Sequence, residues 1–303
     1  MDTQQLQTSS HHAFSPARIW VLATSTLTQL IRMKVFYFLI IFIALLFGAG
    51  FLFISLSFEQ ELKLLKDIAF GAMSLFSLIF AIVGTAILIP KDVEDRTLYT
   101  ILSKPVPRYE YLTGKLLGVL LLVGISLLAM DLIFTGILYL RQNAVLSSQL
   151  AILDSEGIAT PENIQNITML VTSQGVSWDL QAAVFSIFLK AAVLASLCML
   201  LSTFATSTMF TIVVGFAVFF IGHGQSLARD YFLQGSFSSP VQKLITVSLA
   251  ILFPDLQLFN LTDGVVSGEP VPGELLLKIT AVAALYLVIY NIVSFIIFSD
   301  KEL

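Results

Sequence analysis

Charge is scarce in this sequence: Asp, Glu, Lys and Arg make up 12% of 303 residues, about half the share of a soluble domain. A water-soluble globule must cover itself with polar groups. A hydrophobic content of 57% and a mean hydropathy of +0.91 therefore exclude that class. The net charge of −4 argues against a nucleic-acid partner. A single cysteine, Cys198, excludes an internal disulfide framework and any CxxC metal or redox site. Three histidines and seven scattered methionines form no ligand cluster, so no metal centre is expected. A phosphate-binding loop is missing too. The one Gly-Lys pair, Gly114-Lys115, is followed by Leu116, and Tyr109 stands where the first glycine would have to be. No Ser/His/Asp or Cys/His grouping gathers in any one segment, which leaves an enzyme unsupported.

What the sequence has is long apolar runs. A spanning helix needs ~20 mostly apolar residues to cross ~30 Å of hydrocarbon. Six segments meet that length, at about 35–57, 68–90, 113–140, 180–203, 208–225 and 275–298. The fold class expected is an all-α polytopic membrane protein with six transmembrane helices. The fourth and fifth spans are divided only by Thr203–Thr208, which reads as a tight hairpin. A further apolar run, Leu244–Phe253, is too short to cross and reads as re-entrant or interfacial, ended by Pro254.

Six spans put both termini on one side. That side carries Arg18, Arg32, Lys34, Lys91, Arg96, Lys104, Arg108, Lys115 and Lys301. The opposite side holds Lys63, Lys66, Arg141, Arg229, Lys243 and Lys278, spread over much longer loops. The positive-inside rule places both termini and the 91–115 loop in the cytoplasm of a multi-pass protein of the cell (inner) membrane.

Residues 1–15 read as a disordered polar tail. Ser15-Pro16 is a helix-start signal, and 16–34 reads as an amphipathic helix. Trp20, Ala23, Leu27, Leu30 and Ile31 share one face, and Arg18, Ser25, Gln29 and Arg32 the other. Such a helix lies in the headgroup layer with Trp20 at the interface. Between the second and third spans, a short helix is expected from about Asp92 to Leu102. Its first turn is acidic and its stripe is Val93, Leu98, Ile101 and Leu102; Pro105 and Pro107 then stiffen the turn into the third span. Charge on one side and apolar surface on the other make this segment a rigid lever between two spans.

The run Glu94-Asp95-Arg96-Thr97-Leu98-Tyr99-Thr100-Ile101-Leu102-Ser103-Lys104-Pro105-Val106, with Arg108, Tyr109-Glu110-Tyr111 and Gly114-Lys115 after it, resembles the signature of ABC-2 type exporter permeases. Within that class it most resembles the multicopper-enzyme-maturation permease group. Asp67-Ile68-Ala69 and Pro254-Asp255-Leu256 with Phe259-Asn260-Leu261 fit the same pattern. The resemblance implies a half-transporter in which 16–34 is the elbow helix and 35–303 the transmembrane domain. Glu94, Asp95, Arg96, Leu98, Ile101 and Leu102 would then seat in an ATPase. Pro254, Asp255, Phe259 and Asn260 would belong to the re-entrant outer helices that gate the exit. The implied partners are two ABC ATPase subunits carrying the ATP and Mg, a second permease copy or paralogue, an outer accessory protein and the lipid bilayer. The chain itself would hold no cofactor.

Two ionisable residues fall inside spans, Asp131 and Lys190. Counted from Leu140 and from Leu180, they stand at equal depth on consecutive antiparallel helices, which predicts a partly buried ion pair. The competing functional class is an ion-coupled secondary transporter or membrane scaffold using these two residues. The internal repeats usual in such transporters are not visible between the two halves. The third span also carries a close-packing Gly-x-x-x-Gly, Gly114 to Gly118.

Overall fold

The computed structural model describes residues 15–32, 36–52, 58–94, 107–205, 207–233 and 253–299, and every regular element among them is helical. In order these are α1 (Pro16–Ile31), α2 (Phe36–Leu52), α3 (Phe58–Glu94), α4 (Arg108–Ser155), α5 (Pro161–Ser173), α6 (Trp178–Phe204), α7 (Thr208–Leu233), a 3-10 turn (Leu256–Phe259), α8 (Thr262–Ser267) and α9 (Gly273–Ser299). Five of them, α3, α4, α6, α7 and α9, are long and apolar enough to cross a bilayer. The first expected span corresponds to α2, which has 17 residues within the described part and an apolar stretch, Tyr37–Gly48, shorter than a full crossing. Residues 1–14 of the expected tail and 244–252 of the short apolar run lie outside the described residues.

α6 is the hub. It packs most extensively on α3 and α9, and also touches α4 and α7. Its sequence explains the position: it is apolar on all sides, and small residues (Ala191, Ala192, Ala195, Ser196) are buried and let neighbours approach. One apolar cluster joins α2, α3, α4 and α6 through Phe42, Phe70, Phe134 and Val184. A second joins α3, α6, α7, the 3-10 turn and α9 through Ile82, Leu194, Val218, Phe259 and Ala283. The expected break between the fourth and fifth spans is present, with α6 ending at Phe204 and α7 starting at Thr208.

α1 packs against the start of α4. Its buried residues are Ile19, Ala23, Thr26 and Leu30, while Trp20 is 59% exposed. Arg18 bonds Glu110, Leu22 meets Gly114, and Thr26 meets Gly118. The sequence offset is constant, so α1 runs alongside the start of α4, in parallel. The two glycines set the distance. A Cβ on Gly114 would lie 2.6 Å from Leu22 Cβ, and one on Gly118 would lie 2.5 Å from Thr26 Cβ and 2.8 Å from the Ala23 carbonyl. The Thr26 hydroxyl donates to the Leu22 carbonyl at 2.8 Å, so a polar residue reaches this seam without an unmet bond. Of the expected apolar face, Ala23 and Leu30 are buried and Leu27 and Ile31 pack against the core, while Thr26 is added to it beside Gly118. Ser15 precedes the helix in extended conformation but makes no side-chain cap.

α3 and α4 also differ from the expected spans. α3 continues through Pro90 to Glu94, so Asp92 belongs to its last turn and does not open a separate helix. At 48 residues, α4 is roughly 70 Å long, more than twice the hydrocarbon thickness. Residues 141–155, between the third and fourth expected spans, extend it, and 161–173 form α5, started by Pro161 and capped by Thr160 Oγ1, which accepts from Asn163 N at 3.3 Å. Polar ties hold this extension. Arg141 pairs with Glu61 of α3. The buried Lys66 donates to Gln174 Oε1 at 2.9 Å, and Val271 N donates to Asp179 Oδ1 at 2.9 Å.

Gly118→Leu is expected to wedge α1 off α4 and cost about 1–3 kcal/mol, read as a lowered Tm of the detergent-solubilised chain. Gly136→Leu, on the same helix but with nothing within 4 Å of its Cβ position, should leave the Tm near wild type.

Candidate functional site

The densest polar chemistry among the described residues sits where α3 ends and α4 begins. Asp92 on the last turn of α3 is buried, and its Oδ2 lies 2.7 Å from Lys115 Nζ. The same oxygen accepts the Tyr111 hydroxyl at 2.7 Å. Tyr111 and Lys115 are four residues apart on α4, so one helix face presents both to one carboxylate. A charge buried like this is tolerated only when paired and hydrogen-bonded, and here both conditions are met.

Three more contacts radiate from the first turns of α4. Tyr111 stacks on Phe298 of α9, with ring centroids 5.9 Å apart and planes at 15°. Arg108 Nη1 donates to the backbone carbonyls of Phe298 and Ser299 at 2.8 Å each, meeting the negative C-terminal end of α9. Glu110, 1% exposed, accepts from Arg18 Nε at 2.7 Å, Arg18 Nη2 at 2.9 Å and the Ser15 backbone N–H at 2.9 Å. Glu110 thereby neutralises the positive N-terminal end of α1 as well as its arginine. Its hydrogen bond raises the Arg18 pKa above the ordinary guanidinium value. Asn291 Nδ2 of α9 donates to Thr113 Oγ1 at 3.1 Å and completes the frame.

This frame brackets the segment singled out from sequence. Asp95, Arg96, Leu98, Ile101 and Leu102 lie outside the described residues; Glu94 closes α3, and its side chain lies outside them as well. Sequence reasoning missed the frame itself. It counted Arg108 and Lys115 toward sidedness and the family signature but gave neither a partner. The available signal was the spacing of Arg108, Glu110, Tyr111 and Lys115, polar groups on successive turns at the mouth of an apolar span.

Asp131 and Lys190 are not brought together. Asp131 Oδ1 accepts from Gln181 Nε2 at 3.4 Å and from Thr135 Oγ1 at 3.5 Å. Gln181 is therefore level with Asp131, and Lys190 lies nine residues further along α6 (190 − 181), roughly 13 Å away at helical rise. The expected equal depth fails because Leu140 is not the end of α4, which continues to Ser155. Lys190 Nζ instead lies 3.0 Å from His223 Nε2 on α7, and His223 Nδ1 lies 3.3 Å from the Phe219 carbonyl. With the ring proton on Nδ1, facing that carbonyl, Nε2 offers its lone pair to the ammonium. The ammonium also stands 5.9 Å from the centre of the Phe219 ring.

Pro254, Asp255, Phe259 and Asn260 fall in one compact stretch. Asp255 Oδ1 caps the 3-10 turn by accepting from Gln257 N at 3.0 Å, and Leu256 and Phe259 are buried. The turn sits directly on α7. A Cβ on Gly222 would lie 2.7 Å from Leu256 Cγ and 2.9 Å from the Pro254 carbonyl. Gln225 Nε2 of α7 donates to the Phe253 carbonyl at 3.0 Å, and Asn260 Nδ2 donates to Asp263 Oδ2 at 2.8 Å.

A family model described as "ABC-2 family transporter protein" matches residues 20–303, nearly the whole chain. The match is to the family as a whole and lends no support to the narrower multicopper-enzyme-maturation group. No curated protein matches the chain.

Lys115→Met leaves the Asp92 carboxylate buried without its cation and is expected to cost about 3–5 kcal/mol. The double change Asp92→Asn with Lys115→Met should recover much of that loss in thermal unfolding, since no charge is then left unanswered. Equal losses in the single and double variants would show that the pair is not mutually compensating.

Proposed function

The chain belongs to the ABC-2 transporter family, and from that premise we propose that it is the permease subunit of an ATP-driven exporter. It is a multi-pass membrane protein with no phosphate-binding motif, so ATP and Mg are bound and hydrolysed by a separate pair of ATPase subunits. A second permease copy or paralogue completes the pathway, and an outer accessory protein is a further candidate partner. Both termini and residues 95–106 face the ATPase side in this reading, in the cell membrane.

The observation that carries the mechanism is the polar frame around residues 95–106. Force applied to that segment is delivered to Asp92 on one side and to Arg108, Glu110, Tyr111 and Lys115 on the other. These residues tie α3 and α4 to each other, α1 to α4, and the end of α9 to α4. A push on the segment would therefore move four helices together instead of bending one loop. Glu94, Asp95 and Arg96 supply the polar contacts to the ATPase in this reading, and Leu98, Ile101 and Leu102 the apolar face that seats in it. The turn from Pro254 to Asn260, held on α7 through Gly222, would close the far end of the pathway.

Recovery of a Walker-motif ATPase with the tagged chain from its native membrane is the expected result. Glu94→Ala with Arg96→Ala should lower that recovery several-fold while the amount of chain in the membrane stays the same. Undiminished recovery would remove the docking role from this segment, and absence of any ATPase would overturn the exporter reading.

A further inference from the structure

Between α4 and α6 runs a groove of about 290 Å³, roughly twice the ~150 Å³ of a cavity that holds one benzene. Its walls are Leu127 and Leu128 from α4 and Val184, Phe185 and Phe188 from α6, and its polar end is Asp131 with Gln181. Asp131 is 6% exposed, on a helix that is otherwise apolar at this depth. Both of its hydrogen bonds fall on Oδ1, both are at the long limit, and both come from neutral groups. Among the described residues no cation pairs with this carboxylate: Lys190 of α6 is engaged by His223, and Lys115 of α4 by Asp92. A buried acid normally finds a cationic or several strong neutral partners; Asp131, which lines the groove, has only these two long neutral contacts.

We infer that this groove binds an amphiphilic primary amine, with its ammonium on Asp131 and its apolar tail along Leu128, Phe185 and Phe188. Three features select that class. The carboxylate repels anions and calls for a cation. The Gln181 side-chain carbonyl can take a second proton of the ammonium, since its amide already donates to Asp131. The apolar walls given by Leu127, Leu128, Val184, Phe185 and Phe188 call for a long apolar tail behind the cation. A second copy of the chain pressed on the same face would cover the apolar walls but leave the carboxylate unanswered.

The site is independent of ATP coupling, so it is tested with the full chain alone, in phosphatidylcholine nanodiscs, with dodecylamine as probe and dodecanol as its uncharged match. Wild type is expected to bind dodecylamine saturably and dodecanol at least tenfold more weakly. Asp131→Asn keeps the shape and both hydrogen bonds and should weaken dodecylamine about thirtyfold without altering dodecanol. Asp131→Glu should recover part of the affinity, and Phe185→Ala should weaken the amine while sparing its preference over the alcohol. Equal binding of amine and alcohol, or an Asp131→Asn variant that binds the amine as wild type does, would overturn the inference. So would a disulfide-linked dimer of Leu128→Cys in native membranes, which would show a second copy occupying the groove. None of these outcomes bears on ATPase recovery, so the exporter reading stands or falls separately.

Discussion

Asp92 and Lys115 hold opposite charges 2.7 Å apart in a place almost closed to water, and the arrangement of this end of the bundle follows from that contact. Neither group can be buried alone, so the last turn of α3 and the second turn of α4 must stay together. Tyr111 shares the carboxylate and is itself fixed by stacking on Phe298, which brings α9 to the same point. Glu110, one residue before it, turns toward α1 and engages Arg18. The start of α4 thus acts as a clamp, with each neighbour held by a different residue on a different face. Arg108, Glu110, Tyr111 and Lys115 gather four different ties within the first turns of one helix.

Away from that clamp, close packing does most of the work. Gly114 and Gly118 allow α1 to lie within van der Waals contact of α4, and Gly222 allows the 3-10 turn to rest on α7. Alanines and serines let α6 sit at the centre of two apolar clusters. In an apolar solvent, burial by itself gives little drive to association, so small residues and satisfied polar groups decide which helices meet. Lys190 with His223, and Gln225 with the Phe253 carbonyl, are ties of this second kind, linking α7 to α6 and to the segment ahead of the turn.

Several features were legible in the sequence because one physical rule fixes each of them. Apolar runs of about twenty residues mark spans, since an unsatisfied backbone cannot remain in hydrocarbon. Ser15-Pro16 marks the start of α1, because proline suits the first turn of a helix. The Glu94–Val106 motif pointed to the family that the comparison over residues 20–303 then assigned. Other readings failed where the deciding partner was remote. The face of α1 read from its own periodicity held Ala23 and Leu30, which are buried, but left out Thr26, which the glycine groove of α4 also takes. The depth of Asp131 was counted from the end of an apolar run, but α4 continues as a polar helix tied down by Arg141 and Glu61.

By itself, then, the sequence determined the apolar solvent, the helical class and the family. Each of these depends on composition or on residues close together in the chain. Tertiary structure alone decided which charges are partnered and which are not. Asp92 meets Lys115, Glu110 meets Arg18, Lys190 meets His223, and Asp131 is left with two long neutral contacts beside an open groove. The reason is geometric: a buried charge is stabilised within a few ångströms, and which residues come that close depends on the stagger of packed helices.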